Sequence, residues 1–166
     1  MRLRALLPIL FLAACSHKQA STTWTHTHWG MMPSEVIGAV PNVSPESGSN
    51  LANGAVGRFR LDTAGVAETA LPAEFFFLES RLVQINFGDA QYRDNAANLK
   101  AFEQMAASLR KQYGQETGAH IMDPAAGLSR DLTWLAGDTQ VMLVATPVTG
   151  TTSMLSVIYR RAAGQG

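Results

Sequence analysis

The chain has almost no cysteine: one residue, Cys15, in 166. No internal disulfide can form, so any core must hold by packing alone. It has no excess charge either, with 13 Lys and Arg against 13 Asp and Glu. Without a basic face there is no electrostatic grip on a phosphate backbone, and nucleic acid is not expected as a partner. Charged residues are 16% and aromatics 8%. That composition suits one globular domain with apolar residues to spare for a core. Long apolar runs are missing too. Ala5 to Leu12 (ALLPILFL) has eight residues, whereas a spanning helix needs roughly 20. There is no His-Glu-x-x-His, no Gly-x-Ser-x-Gly, no phosphate loop and no dinucleotide fingerprint. No recognised chemistry therefore calls for a catalytic residue, a cofactor or a metal.

What is present begins at the N-terminus. Arg2 and Arg4 precede the apolar run, and Ala13 and Ala14 follow it, directly before Cys15. Charged region, apolar region and small residues make up an export signal. Leu12-Ala13-Ala14-Cys15 matches the lipobox Leu-Ala-[Gly/Ala]-Cys at all four positions, so this stretch resembles the signal of a bacterial lipoprotein. The resemblance implies cleavage between Ala14 and Cys15, a diacylglycerol thioether on Cys15, and acylation of its new amino group. Several acyl chains give stable anchoring where one chain is marginal. Ser16 stands where an Asp would resemble an inner-membrane retention signal. The expected location is the periplasmic face of the outer membrane, with the inner membrane as the alternative. Cleavage would leave 11 basic and 13 acidic residues.

The expected division is a signal at 1–14, a lipidated tether at 15–28, one domain at 29–161 and a tail at 162–166. Pro33 suits a first helical position, and Val36, Ile37 and Val40 are expected on one face of a short helix stopped by Pro41. Asn42 to Gly54 reads as loop. Gly57, Phe59 and Leu61 alternate with polar residues as a strand does, and a weaker strand is expected over Val66 to Leu71. Ala73 to Leu78 and Leu82 to Phe87 read as a hairpin turning at Glu79-Ser80, with Val83, Ile85 and Phe87 on one face. Asp94-Asn95 caps the best helix, whose stripe is Leu99, Phe102, Ala106, Leu109 and Tyr113, ended by Gly114. Gln115 to Arg130 reads as loop. Strands follow at Leu132 to Leu135, Thr139 to Thr146 and Met154 to Arg160. The order predicts an α+β fold: antiparallel sheet with one short and one long helix packed on one side, in two loosely similar α-β halves.

Two pieces of this series resemble a family. Trp29-Gly30-Met31, followed by Ser34-Glu35-Val36, is similar to the start of the first helix in outer-membrane-assembly lipoproteins of the SmpA/OmlA-like type. The Phe-rich hairpin, Tyr113-Gly114, Trp134 and Tyr159 are similar to the later series in related periplasmic proteins. The chain departs from the pattern at Met32, where the family carries a Ser or Thr cap. The resemblance implies a sheet with helices on one side and a scaffold or binding role, and it carries over no catalytic residue.

Other constellations have ordinary readings. His26-Thr27-His28 could offer two imidazoles to a metal, but reads as polar tether. Ser108-x-x-Lys111 fits an acylating-serine spacing without its companion motifs. Asp123 and Asp131 near His120 could form an acid–base group, and loop composition explains them as well. Phe75-Phe76-Phe77 could be a ligand-binding patch, but suits core on one face and a second layer on the other.

The functional expectation is a non-enzymatic module that binds or scaffolds envelope proteins while anchored to the membrane by lipid. The alternatives are a small-molecule or lipid carrier using the sheet's aromatic face and, third, a hydrolase. The last two strands carry apolar residues on both faces, so one face needs a partner. Met142 and Ile158 are the candidate protein-binding residues.

Overall fold

The computed structural model describes residues 24–46, 48–88, 91–121 and 129–162. The lipobox, with Ala14 and Cys15, lies outside the described residues, as does Asp123. Among the described residues, two helices and nine strands follow the order α1 (Pro33–Ala39), β1 (Ser44–Pro45), β2 (Val56–Val66), β3 (Thr69–Leu78), β4 (Arg81–Phe87), β5 (Arg93–Asp94), α2 (Asn95–Tyr113), β6 (Gly118–Ile121), β7 (Arg130–Ala136), β8 (Thr139–Pro147), β9 (Thr152–Arg161). The strands form one open antiparallel sheet in the order β1-β2-β3-β4-β9-β8-β7-β6, with β5 paired to the start of β9. The fold is α+β.

The N-terminal strands are irregular. β2 and β3 make one long hairpin rather than a strand and a weak companion. Its turn is Ala67-Glu68, both at positive φ (49° and 58°). Glu79-Ser80 turns the next hairpin in the same way (50° and 60°). Two such residues in tandem match the twist of the flanking strands. Pro72 lies inside β3, where β2 carries an irregularity between Leu61 and Ala64. A proline there removes no ladder donor. Pro72 O instead accepts from Gly88 N–H (3.0 Å). Further shifts fall between Gly57 and Phe59 and between Phe76 and Phe77. These bulges re-aim side chains. Leu82, Ile85 and Phe87 are buried in β4, while Val83 is only partly so. Gly57 pairs with Phe76 and so leaves the face of Phe59.

The C-terminal strands are regular. β8 and β9 pair from Thr139↔Arg161 to Pro147↔Ser153 without a shift, and β7 and β8 from Arg130↔Ala145 to Ala136↔Thr139. β6, Gly118–Ile121, is an added edge strand inside the stretch expected to be loop. Its four residues are all exposed, so no apolar alternation marks it in the sequence.

α1 begins at Met32, which offers no side-chain cap. Glu35 compensates: its carboxylate accepts from Met32 N–H at 2.6 Å. Val36 and Val40 are buried, but Ile37 is 55% exposed. Residues i and i+4 share a face and i+1 lies about 100° round the helix, so a helix this short cannot bury all three. α2 starts on Asp94, whose carboxylate accepts from Ala96 N–H (2.8 Å) and Ala97 N–H (3.4 Å). Its buried face is Asn98, Phe102, Met105, Ala106 and Leu109, with Leu99 only partly buried. Asn98 takes the inward position because its amide donates to Ser153 O (2.7 Å) and Oγ (3.0 Å). Gly114, at φ +83°, closes α2 with its N–H on Arg110 O.

One core joins these elements. It contains Val36, Phe59, Phe75, Phe77, Ile85, Phe87, Phe102, Leu109, Trp134, Val141, Leu143, Val157 and Tyr159. Within residues 24–28, read from the sequence as tether, Trp24 and Thr27 pack with the domain. The Trp24 ring meets Phe87 and Phe75 at 5.4 and 6.1 Å between centroids, and Thr27 is buried. Three indole N–H groups pin the ends of the structure: Trp24 to Gly65 O, Trp29 to Thr139 Oγ1, and Trp134 to Gly114 O. The Tyr113 and Tyr159 hydroxyls meet at 2.9 Å, and burial pushes both phenols up from their ordinary range.

Candidate functional site

Strand alternation gives the sheet two faces. One carries the core, through Phe75, Ile85, Val157, Val141 and Leu132. The other is read by following cross-strand partners. Arg60, Glu74, Asn86, Ile158, Met142, Thr133 and Gly118 succeed one another from β2 to β6. Beside them run Phe76, Gln84, Arg160, Gln140 and Leu135. A third row holds Ser156, Val144, Asp131 and His120.

Met142 and Ile158 are direct partners at the middle of this outer face. Both are partly exposed. Neither belongs to the core or to the partly buried hydrophobics packed against it, and the same holds for Val144 and Met154. Around them the polar groups answer one another. Arg160 Nε donates to Gln140 Oε1 (2.7 Å), and Gln84 Nε2 donates to Asn86 Oδ1 (2.7 Å). The patch is thus an apolar centre in a polar, hydrogen-bonded frame, with Leu135 55% exposed at its border.

The outer face differs at its N-terminal end. Phe76 points there but is only 1% exposed, and it lies outside the main core. Phe75 and Phe77 face the core and are equally hidden. The Phe run thus splits between the two faces, and none of its rings is open to solvent.

The remaining candidates are dispersed. His26 and His28 are both exposed, and Nδ1 of His28 lies 3.3 Å from Trp29 O. Among the described residues no three His, Cys, Asp or Glu side chains gather as a metal site. Lys111 reaches Glu68 at 3.5 Å rather than Ser108. His120 and Asp131 are cross-strand partners at the sheet's edge, with Val144 next in the row. At the same edge Arg110 grips Glu116 with two 2.9 Å bonds, and that hydrogen bonding lowers the Glu116 carboxyl to about 2.

Among the described residues, these surface depressions open to solvent. One of about 450 Å³ lies by Trp24, Glu68, Gln112 and Tyr159. One of about 130 Å³ lies by Leu71, Asn98, Met105 and Leu155. One of about 150 Å³ lies between α2 and β6, by Phe102, Ala119, Ile121 and Leu132. None of them includes Met142 or Ile158. No helix among the described residues is long and apolar enough to cross a membrane.

The alternation of β8 and β9 made Met142 and Ile158 legible in the sequence. The burial of Phe76 on this face was not, because the bulges beside it leave no mark in composition. No protein family, curated protein or solved structure matches the chain.

Proposed function

We propose that the protein is a non-enzymatic lipoprotein, acylated on Cys15 after cleavage behind Ala14. It is held at the periplasmic face of the outer membrane, where its domain binds or scaffolds other envelope proteins. Its architecture in this reading is two related halves, each a helix followed by a strand meander, with both helices on the core side of the sheet. That arrangement leaves the outer face for a partner. The observation that carries the reading is the direct pairing of Met142 with Ile158 on the face turned away from the core. Apolar side chains at the centre of a sheet face, ringed by polar groups that satisfy each other, are the anatomy of a protein contact.

Photo-crosslinkers at Met142 and Ile158 in the lipidated protein should capture an envelope protein in cells. If both positions capture nothing while positions on β2 and β3 do, the binding face has been placed on the wrong strands. The anchor has a separate test. Cys15→Ser should abolish labelling by a fatty-acid probe and leave the leader uncleaved. Labelling that persists in this variant would overturn the lipid anchor.

A further inference from the structure

Two oxygens on the outer face are shut away from water without a hydrogen-bond partner: Glu74 Oε1 and Ser49 Oγ. They aim at the same spot. A Cβ built on Gly57 would overlap both atoms, so the absent side chain leaves the space toward which both oxygens point. The bulge after Gly57 is what turns this residue to the outer face, opposite Phe76. Ser49 belongs to residues 48–55, a strap laid along β2. Gly57 N–H donates to Ser49 O (2.8 Å), Asn50 bridges to Val56, and Leu51 N–H donates to Ala55 O (2.8 Å). A side chain at Gly54 would touch Leu78, which follows Phe76 on the same face of β3. The strap therefore borders the hidden Phe76.

A carboxylate with no donor is costly to enclose, whereas a carboxylic acid carries its own donor. Burial pushes the Glu74 carboxyl up, Glu46 pushes it further, and Arg60 alone pulls it down. Arg60 is shared with Asp62 at 3.2 Å. From β4 the facing residues are Asn86 and, diagonally, Gln84, neither of them charged.

We propose that Glu74 and Ser49 form a proton-operated latch that holds residues 48–55 closed over the N-terminal part of the docking face. The inference rests on the docking role proposed above and names its regulation. Protonation lets the Glu74 carboxyl turn its own O–H toward Ser49 Oγ across the space beside Gly57, and that bond closes the latch. When the proton leaves, the carboxylate has one hydroxyl to answer it and Glu46 beside it. It turns to water, the strap lifts, and Phe76 is uncovered next to Gln84 and Arg160. A group raised in the folded state stabilises it fully below the ordinary glutamate range and loses that effect as pH rises through the folded value. Acid therefore closes the latch, and neutral pH opens the full face.

The test is amide hydrogen exchange over residues 48–57 of the full lipidated chain, corrected for intrinsic rates, at about pH 4 and pH 7. Protection in the parent should fall about tenfold or more between the two. Glu74→Gln, neutral at every pH and still able to donate, should keep the acid value at both. Ser49→Ala should show the open value even in acid. Equal protection in the parent at both pH values, or a Glu74→Gln variant that follows the parent, overturns the latch. Crosslinking at Met142 and Ile158 separates the two readings. Crosslinks with a strap that does not titrate overturn the latch alone, and a titrating strap without crosslinks at neutral pH overturns the docking role alone.

Discussion

The strands on the two sides of the β4–β9 seam solve one problem differently. β2, β3 and β4 are interrupted by three register shifts and turn on residues with positive φ that are not glycine. β7, β8 and β9 run in unbroken register, and their first hairpin turns on Gly137 at φ +61°. The irregular side buries its outward aromatic, Phe76, while the regular side leaves Met142 and Ile158 partly open. Bulges cost local pairing and in return let a strand send neighbouring residues to chosen faces. An unbroken ladder keeps its faces flat and available.

The largest expected effect tests this contrast directly. Phe76→Ala should cost about 3–5 kcal/mol, as truncating a buried phenylalanine usually does. Phe102→Ala, in the core both sides share, should cost the same. Met142→Ala, on the same face as Phe76, should stay within about 1 kcal/mol. Urea midpoints of the three variants decide it, and a Phe76 variant as mild as the Met142 one would show that the cover is loose.

Next comes Asn98. Its two donors end on Ser153 at the start of β9, and Asn98→Ala leaves those acceptors buried. A loss of about 1–3 kcal/mol is expected in thermal or urea melts. No loss would mean that Ser153 finds other partners.

A smaller effect follows pH. Because burial raises the Glu74 carboxyl, the parent should lose stability relative to Glu74→Gln as pH rises from the acid side through the folded value. Parallel stability curves for the two proteins would dismiss the effect.

The smallest concerns the turns. Glu68→Gly and Ser80→Gly each relieve a positive φ and should raise stability by up to about 1 kcal/mol, net of glycine's extra chain entropy. The side chain of Glu68 is 71% exposed, so its 3.5 Å pair with Lys111 subtracts little. Destabilisation by either change would show that those turns are not strained.

The same contrast explains what could be read from the sequence. α2 was legible because Phe102, Ala106 and Leu109 repeat at the helical period and Asp94 and Gly114 mark its ends. The regular strands were legible by alternation alone. β2 and β3 were misjudged because Ala67-Glu68 lacks the Asn, Asp or Gly that announces a tight turn. β6 escaped because Gly118-Ala119-His120-Ile121 is exposed throughout. Asn98 in place of Leu99 follows from a hydrogen bond to β9, which helical periodicity cannot encode. Met142 and Ile158 came from the pattern, whereas Glu74 and Ser49 converge on Gly57 only because a bulge turns that residue toward them.

The place of β9 has a consequence for synthesis. Although β9 follows the other described strands in sequence, it lies in the interior of the sheet, between β4 and β8, and β5 leans on its start. Until β9 emerges, β4 and β8 each present a naked edge, and the two meanders cannot join. Pairing across the seam therefore waits for β9, whose contacts join Gln84 with Arg160 and Phe87 with Val157, partners far apart in sequence, which is slow work for any polypeptide. A nascent chain stopped short of Thr152 would hold two sticky half-sheets rather than a slightly shortened protein. Quality control that samples such edges would read truncation here as complete failure.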